Sequence, residues 1–218
     1  MQKDRKLFWI LMFAGGSITA ALVYFLGSML FTVAFAGGKV FVLPTISMEP
    51  TLRGGERILV ETQNNNLLQR GDVVVVAVQK DGRSVKYAKR LVAFGGDTVE
   101  LRDGVIIING KTVPQSKVLV EDTVDFGIKT ERVTLREQFP DEETAHQIYD
   151  TRRTSGDDFG PVTVPTDHLF LLGDNRDNSA DSRFPEIGIG MVPTHAVVGR
   201  VTTLYWSNDP VRIGQSVQ

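Results

Sequence analysis

The chain has 218 residues, room for one large domain or two small ones. Its 24 Lys and Arg against 26 Asp and Glu leave a net charge of −2, which argues against a nucleic-acid-binding face, and 42% hydrophobic residues exclude wholesale disorder. Cysteine is absent, so disulfides, a thiol nucleophile and cysteine-built zinc sites are excluded, and His146, His168 and His195 are too few for a histidine-rich metal cluster.

The first charges are Lys3, Asp4, Arg5 and Lys6, and the next is Lys39. Between them lies an uncharged run of 32 residues. About 20 apolar residues cross a bilayer, and glycine and serine are tolerated in such helices. Residues 7–30 therefore predict one transmembrane anchor. Basic residues ahead of it keep residues 1–6 in the cytoplasm. The remainder is then expected on the extracytoplasmic side of the cell membrane. The competing reading is a cleaved secretory signal, cut after the small-x-small triplet Ala34-Phe35-Ala36. The run is longer than the ~7–15 residues of a signal core, which favours a retained anchor.

Beyond the anchor the pattern predicts short strands. Arg57 to Val60 and Asp72 to Val78 are β-branched runs, the second preceded by Arg70-Gly71. Ser84 to Phe94 follows, closed by Gly95-Gly96-Asp97. Thr98 to Arg102 and Val105 to Ile108 flank Asp103-Gly104, a two-residue hairpin signal. Asn109-Gly110 marks a second turn. His168 to Leu172 and Ala196 to Val201 are further candidates. No long amphipathic helix is expected after residue 40. The fold class is mainly β, an antiparallel sheet or barrel-like core formed by residues 39–110 and 162–206. Residues 111–161 are polar and weakly periodic, and read as an inserted small β subdomain. The tail after Asp209 is expected to be peripheral.

Three segments could carry chemistry. Ser47 sits between Pro44 and Pro50, whose rings fix φ at both ends of the segment. A serine hydroxyl needs a base before it can attack. None of the three histidines has a distinctive local setting. Lys89 is the better candidate. In an extended strand its face reads Val85, Tyr87, Lys89, Leu91, Ala93, and it is the only charge there. Burial would push an ammonium's pKa from about 10.4 toward neutrality. A lysine that snorkels its head to water is the ordinary alternative. The third segment is Gly173 to Arg183, with three Asp, two Asn, two Ser and two Arg. Calcium loops also interleave Asp and Asn, but the arginines and the missing distal Glu argue against one. A self-bracing loop fits better, with Asp–Arg pairs and Ser179 offering a hydroxyl to a neighbouring base.

Together these segments resemble the type I signal peptidases, membrane-bound serine proteases that remove signal peptides from exported proteins. The resemblance covers roughly residues 5–110 and 162–206. It implies a Ser/Lys dyad, with Ser47 the nucleophile and Lys89 its general base. It implies an oxyanion hole formed by the Ser47 amide and the Thr45 hydroxyl. Ser179 resembles the residue that orients the lysine, and Arg90, Asp174, Arg176, Asp181 and Arg183 resemble bracing residues. The substrate, extended as a strand, would have small residues at the first and third positions before the cut. Its implied lining is Phe41, Leu43, Pro44, Met48, Leu52, Ile58, Tyr87 and Ala88, which ordinary core packing would equally explain. The expected partners are preprotein signal peptides and the lipid bilayer, with no nucleic acid, no cofactor and no metal, in a monomer.

The chain departs from the family pattern in places. Gly95-Gly96-Asp97 replaces the more usual Pro-Gly-Asp. The stretch from Phe184 to Ile189 is slightly longer than in many members. One anchor is expected where some members have two. A specialised peptidase maturing pilin-like or conjugation proteins, and an inactive membrane-anchored binding protein, are the alternatives. Retention of both Ser47 and Lys89 argues against the second. A self-cleaving repressor would need a DNA-binding domain, for which the anchor leaves no room. Self-processing after Ala36 also fits the implied preference.

Overall fold

The computed structural model describes residue 27 and residues 38–62, 68–125, 127–140 and 145–217. The expected anchor at 7–30, apart from residue 27, and the Ala34-Phe35-Ala36 triplet fall outside the described residues. No helix among the described residues is long and apolar enough to cross a membrane. The chain divides into two units, residues 1–39 and 40–218, and the second holds almost all of the described structure.

Fourteen strands are described: β1 (Gly38–Val42), β2 (Arg57–Glu61), β3 (Val73–Lys80), β4 (Arg83–Phe94), β5 (Thr98–Arg102), β6 (Val105–Ile108), β7 (Lys111–Thr112), β8 (Gln115–Asp125), β9 (Ile128–Glu137), β10 (His146–Asp150), β11 (Phe159–Thr163), β12 (His168–Leu172), β13 (Val192–Pro193) and β14 (Val197–Trp206). They form sheets of seven strands (β1-β2-β14-β3-β4-β12-β13), four strands (β11-β5-β6-β7) and three strands (β10-β9-β8). The fold is mainly β and antiparallel. The only helical segments after residue 40 among the described residues are three-residue 3-10 turns.

The hairpin signals fold as their chemistry dictates. Asp103 and Gly104 both take positive φ, at 48° and 78°, and join β5 to β6. Asn109 and Gly110, at 51° and 76°, do the same between β6 and β7. Two consecutive left-handed residues match the twist of the flanking strands, and Asn, Asp and Gly tolerate that conformation.

The β3 run from Val73 to Val76 is buried throughout because both faces of the large sheet are covered. Val73 and Val75 join a cluster with Leu43, Met48, Leu52, Ile58, Val60, Val201 and Leu204. Val74 and Val76 point the other way, into a cluster with Leu91, Leu169, Leu171, Ile189, Val192 and Val197. A third cluster joins Val92, Ala93, Phe170 and Leu172 of the large sheet to Val99, Leu101, Ile106 and Ile108 of the four-stranded sheet.

Residues 111–161 contribute β8, β9 and β10 to one sheet and β7 and the start of β11 to another. The long hairpin of β8 and β9 pairs from Gln115↔Glu137 to Asp125↔Ile128. The tail corrects the expectation that it is peripheral. The Gly214 amide donates to the Leu204 carbonyl, and the Val217 amide to that of Thr202. Arg212 reaches buried Glu56 and the Thr51 carbonyl. A short polar tail carries no periodic signal, so sequence pattern did not reveal this.

Candidate active site

Ser47 lies in a run of turns between β1 and β2. The Glu49 amide donates to the Ile46 carbonyl at 3.0 Å, and the Leu52 amide to the Met48 carbonyl at 2.9 Å. Buried Met48 and Leu52 pin these turns to the sheet. Lys89 lies on β4, opposite Val74 of β3. Its amine donates to Ser47 Oγ at 2.6 Å. Thr45 Oγ1 is 3.2 Å from the same oxygen.

Lys89 is 2% exposed and Ser47 8%. Burial brings the Lys89 pKa down to about 8. The Asp181 and Asp174 carboxylates pull it back up, and Arg183 opposes them. The amine is therefore a base that can be neutral slightly above neutral pH.

The polar loop after β12 folds against this pair. The Asn175 amide donates to the Ser47 carbonyl at 3.1 Å, and Asn175 Nδ2 to the Ile46 carbonyl at 3.2 Å. A Cβ on Gly173 would sit 2.2 Å from Ser179 Oγ and 2.5 Å from the Ser47 carbonyl oxygen, so only glycine fits. Asp174 takes a two-pronged bond from Arg90, Nε to Oδ1 at 2.8 Å and Nη2 to Oδ2 at 2.7 Å. Burial would raise the Asp174 pKa, but Arg90, His146 and the Thr51 hydroxyl hold it below the usual range. Asp181 accepts from Arg183 Nε and Nη2, both at 2.9 Å, and from the Gly173 amide at 3.1 Å.

The loop is not wholly self-bracing, as the sequence suggested. Arg176 pairs with Glu137 at the end of β9, and His146 Nε2 lies 3.2 Å from the same carboxylate. Burial would raise the Glu137 pKa, and the Arg176 guanidinium and His146 keep it well below the carboxylate range. The Tyr149 amide of β10 donates to the Asp174 carbonyl at 2.8 Å. The three-stranded sheet is thus hydrogen-bonded directly to the Gly173–Arg183 loop, whose Asn175 in turn binds the Ser47 carbonyl.

Ser179 Oγ is buried and has no hydrogen-bond partner among the described residues. Of the remaining histidines, His168 Nδ1 lies 2.9 Å from the Thr166 carbonyl and His195 is exposed.

A groove of about 150 Å³ opens beside Ser47. Its walls include Phe41, Leu43, Pro44, Met48, Ile58, Tyr87 and Ala88, with Thr45 and Lys89. Leu52 is not on the wall: it is fully buried in the core beneath. Val42, Val75, Val85 and Lys86 also line the groove and escaped the sequence reading. Strand alternation could have suggested Val85, which shares a face with Tyr87 and Lys89. Ser182, Thr51 and Glu137 were also missed. Ser182 Oγ donates to the Gly190 carbonyl at 2.6 Å and accepts from the Leu171 amide at 2.9 Å. No group of residues suited to hold a metal ion occurs among the described residues. A hydroxyl, a buried amine in contact with it and an adjoining apolar groove together make an arrangement suited to nucleophilic attack on a peptide carbonyl.

Comparison with known proteins places the chain in a family. Residues 16–206 match the family model described as signal peptidase, peptidase S26. A signal peptidase I of Bacillus licheniformis is 30% identical over 174 residues, covering 79% of this chain and 78% of its own. Signal peptidase I S of Bacillus subtilis is 31% identical, covering 79% of each. A solved signal peptidase I from Enterococcus faecalis is 26% identical and covers 62% of this chain and 97% of its own, at a TM-score of 0.36. That overlay is too loose to carry the fold, and the assignment rests on the sequence matches. On those matches, the chain belongs to the signal peptidase family, peptidase S26.

Proposed function

We propose that this chain is a membrane-anchored signal peptidase I that cleaves N-terminal signal peptides from exported preproteins after small residues. The observation that carries the reading is the buried Lys89 amine 2.6 Å from Ser47 Oγ. Neutral Lys89 takes the Ser47 proton as Oγ attacks the scissile carbonyl. The Ser47 amide and Thr45 Oγ1 donate to the developing oxyanion. Lys89 then passes its proton to the leaving amine, the new N-terminus of the mature protein. Water, deprotonated by the same amine, attacks the acyl-enzyme and releases the signal peptide with a free carboxylate. Atoms balance without cofactor or metal.

The groove supports the expected preference. A substrate strand along it would make main-chain hydrogen bonds, with alternate side chains facing the apolar wall. A space of about 150 Å³ walled by Phe41, Met48, Ile58 and Tyr87 suits small side chains. Ser179 is assigned to orient Lys89: once the amine is protonated it has a further proton to donate, and the unpartnered Ser179 hydroxyl can accept it. Arg90, Asp174, Arg176, Asp181 and Arg183 brace the loop and fix the field felt by Lys89.

The anchor reading stands on residues 7–30 and on position. Ser47 follows the uncharged run by nine residues, so an active site close to the membrane face suits a substrate whose own signal helix is embedded. The test is cleavage of a purified preprotein in detergent. Wild type cuts, and Ser47→Ala and Lys89→Met each abolish cutting. Undiminished cutting by either variant contradicts the dyad.

A further inference from the structure

The loop that carries Ser47 has no strand or long helix of its own, so its shape depends on what holds it from outside. On one side Asn175 binds the Ser47 and Ile46 carbonyls. On the other side stands the C-terminal segment. Glu56, 2% exposed, closes the loop. Its Oε2 accepts from the Arg53 amide at 2.7 Å, and its Oε1 from Ser207 Oγ at 2.8 Å. Arg212 Nε donates to Oε1 at 2.8 Å, and Nη2 to Oε2 at 3.2 Å. The same Nη2 donates to the Thr51 carbonyl at 2.9 Å. Burial would raise the Glu56 pKa, but these donors, Arg212 foremost, hold it below the usual carboxylate range.

Thr51 connects this cluster to the site. Its Oγ1 donates to Asp174 Oδ2 at 2.5 Å, and Asp174 binds Arg90, the neighbour of Lys89. Thr51 lies in the turn closed by the Leu52 amide on the Met48 carbonyl, which begins one residue after Ser47. The C-terminal segment is itself fixed to β14 through Leu204 and Thr202, and Val217 packs against the cluster containing Leu43, Met48 and Leu52.

We propose that residues 207–217 form a strap that locks the nucleophile-bearing loop, with Arg212 as its positioning residue. The planar guanidinium fork grips a carboxylate and a carbonyl at once, which a lysine ammonium does with poorer geometry. Displacing a reacting atom by about 1 Å can cost roughly 10²-fold in rate. The inference rests on the reading of Ser47 as nucleophile.

The test uses the full chain in detergent with a preprotein substrate, and reads kcat, KM and the unfolding midpoint. Arg212→Ala is expected to lower kcat about 10- to 100-fold while KM stays within about twofold. Millimolar guanidinium restores part of the kcat of Arg212→Ala and none of that of Ser47→Ala. Arg212→Lys recovers activity incompletely. Should Arg212→Ala fail to fold, Arg212→Gln, which keeps a donor for the Thr51 carbonyl, carries the same kcat and KM comparison. Wild-type kcat in a folded Arg212 variant, or a change confined to KM, overturns the strap. Full cutting by Ser47→Ala overturns instead the nucleophile assignment beneath it.

Discussion

The Lys89 amine donates to Ser47 Oγ at 2.6 Å across 42 positions of sequence, and both side chains are buried. The contact joins a strand in the large sheet to a turn packed over it. Its consequences are chemical and thermodynamic, and both can be measured.

Burial of Lys89 opposes stability near neutral pH. Its pKa is about 8 in the folded chain and near 10.5 in the unfolded chain, so the unfolded state binds more protons between those values. Stability therefore rises with pH from about 8 to 10.5 and is lower below that window, by about 3 kcal/mol for a group this buried. Lys89→Met is expected to lose this slope and to be at least as stable as wild type at pH 7. Denaturant melts of both proteins across pH 7–10 check this.

Ser179→Ala is expected to separate stability from activity. The buried Ser179 hydroxyl has no hydrogen-bond partner among the described residues, and such a group costs about 1–3 kcal/mol. Removing it should raise the unfolding midpoint. It also removes the acceptor assigned to protonated Lys89, so kcat should fall by about tenfold or more. A calorimetric scan beside a cleavage assay reads both changes.

Much of the architecture was legible in the sequence because its signals are local. Asp103-Gly104 and Asn109-Gly110 carry their own backbone preference, and the β3 valines are apolar on both faces. Ser47 and Lys89 are weak signals singly, and it is beside the Gly173–Arg183 run that they resemble a known family. Glu137, His146 and Arg212 were not legible. Each is an ordinary charged or titratable residue in a polar stretch, and its partner lies 39, 9 or 156 positions away. Leu52 entered the substrate lining only through the family resemblance, and turn residues give no periodicity to tell a wall from the core beneath it.

Glu137→Ala should strongly destabilise the protein. It would leave Arg176, 4% exposed, without its carboxylate partner, and breaking a buried ion pair from one side costs about 3–5 kcal/mol. Because the folded-state pKa of Glu137 is depressed, its contribution is present above the unfolded carboxylate pKa and is lost as pH falls through the acid range. Urea midpoints at pH 7 and pH 4 should differ less for Glu137→Ala than for wild type.

Thr45→Val should lower kcat by about 10²–10³ with little change in KM, as expected for loss of one oxyanion donor. Thr45→Ser, which keeps the hydroxyl, should retain most activity. Steady-state kinetics on a preprotein or a signal-peptide analogue compare the two. Equal activity of both variants would remove Thr45 from the oxyanion hole.

The most direct measurement is the pH dependence of kcat/KM for wild type beside Lys89→Arg. A neutral lysine base predicts activity that rises with pH through a midpoint of about 8, set by the buried amine. Lys89→Arg, whose guanidinium stays charged, is predicted to be inactive throughout. A wild-type midpoint in the histidine range near 6.5, or appreciable cutting by Lys89→Arg, would contradict the account.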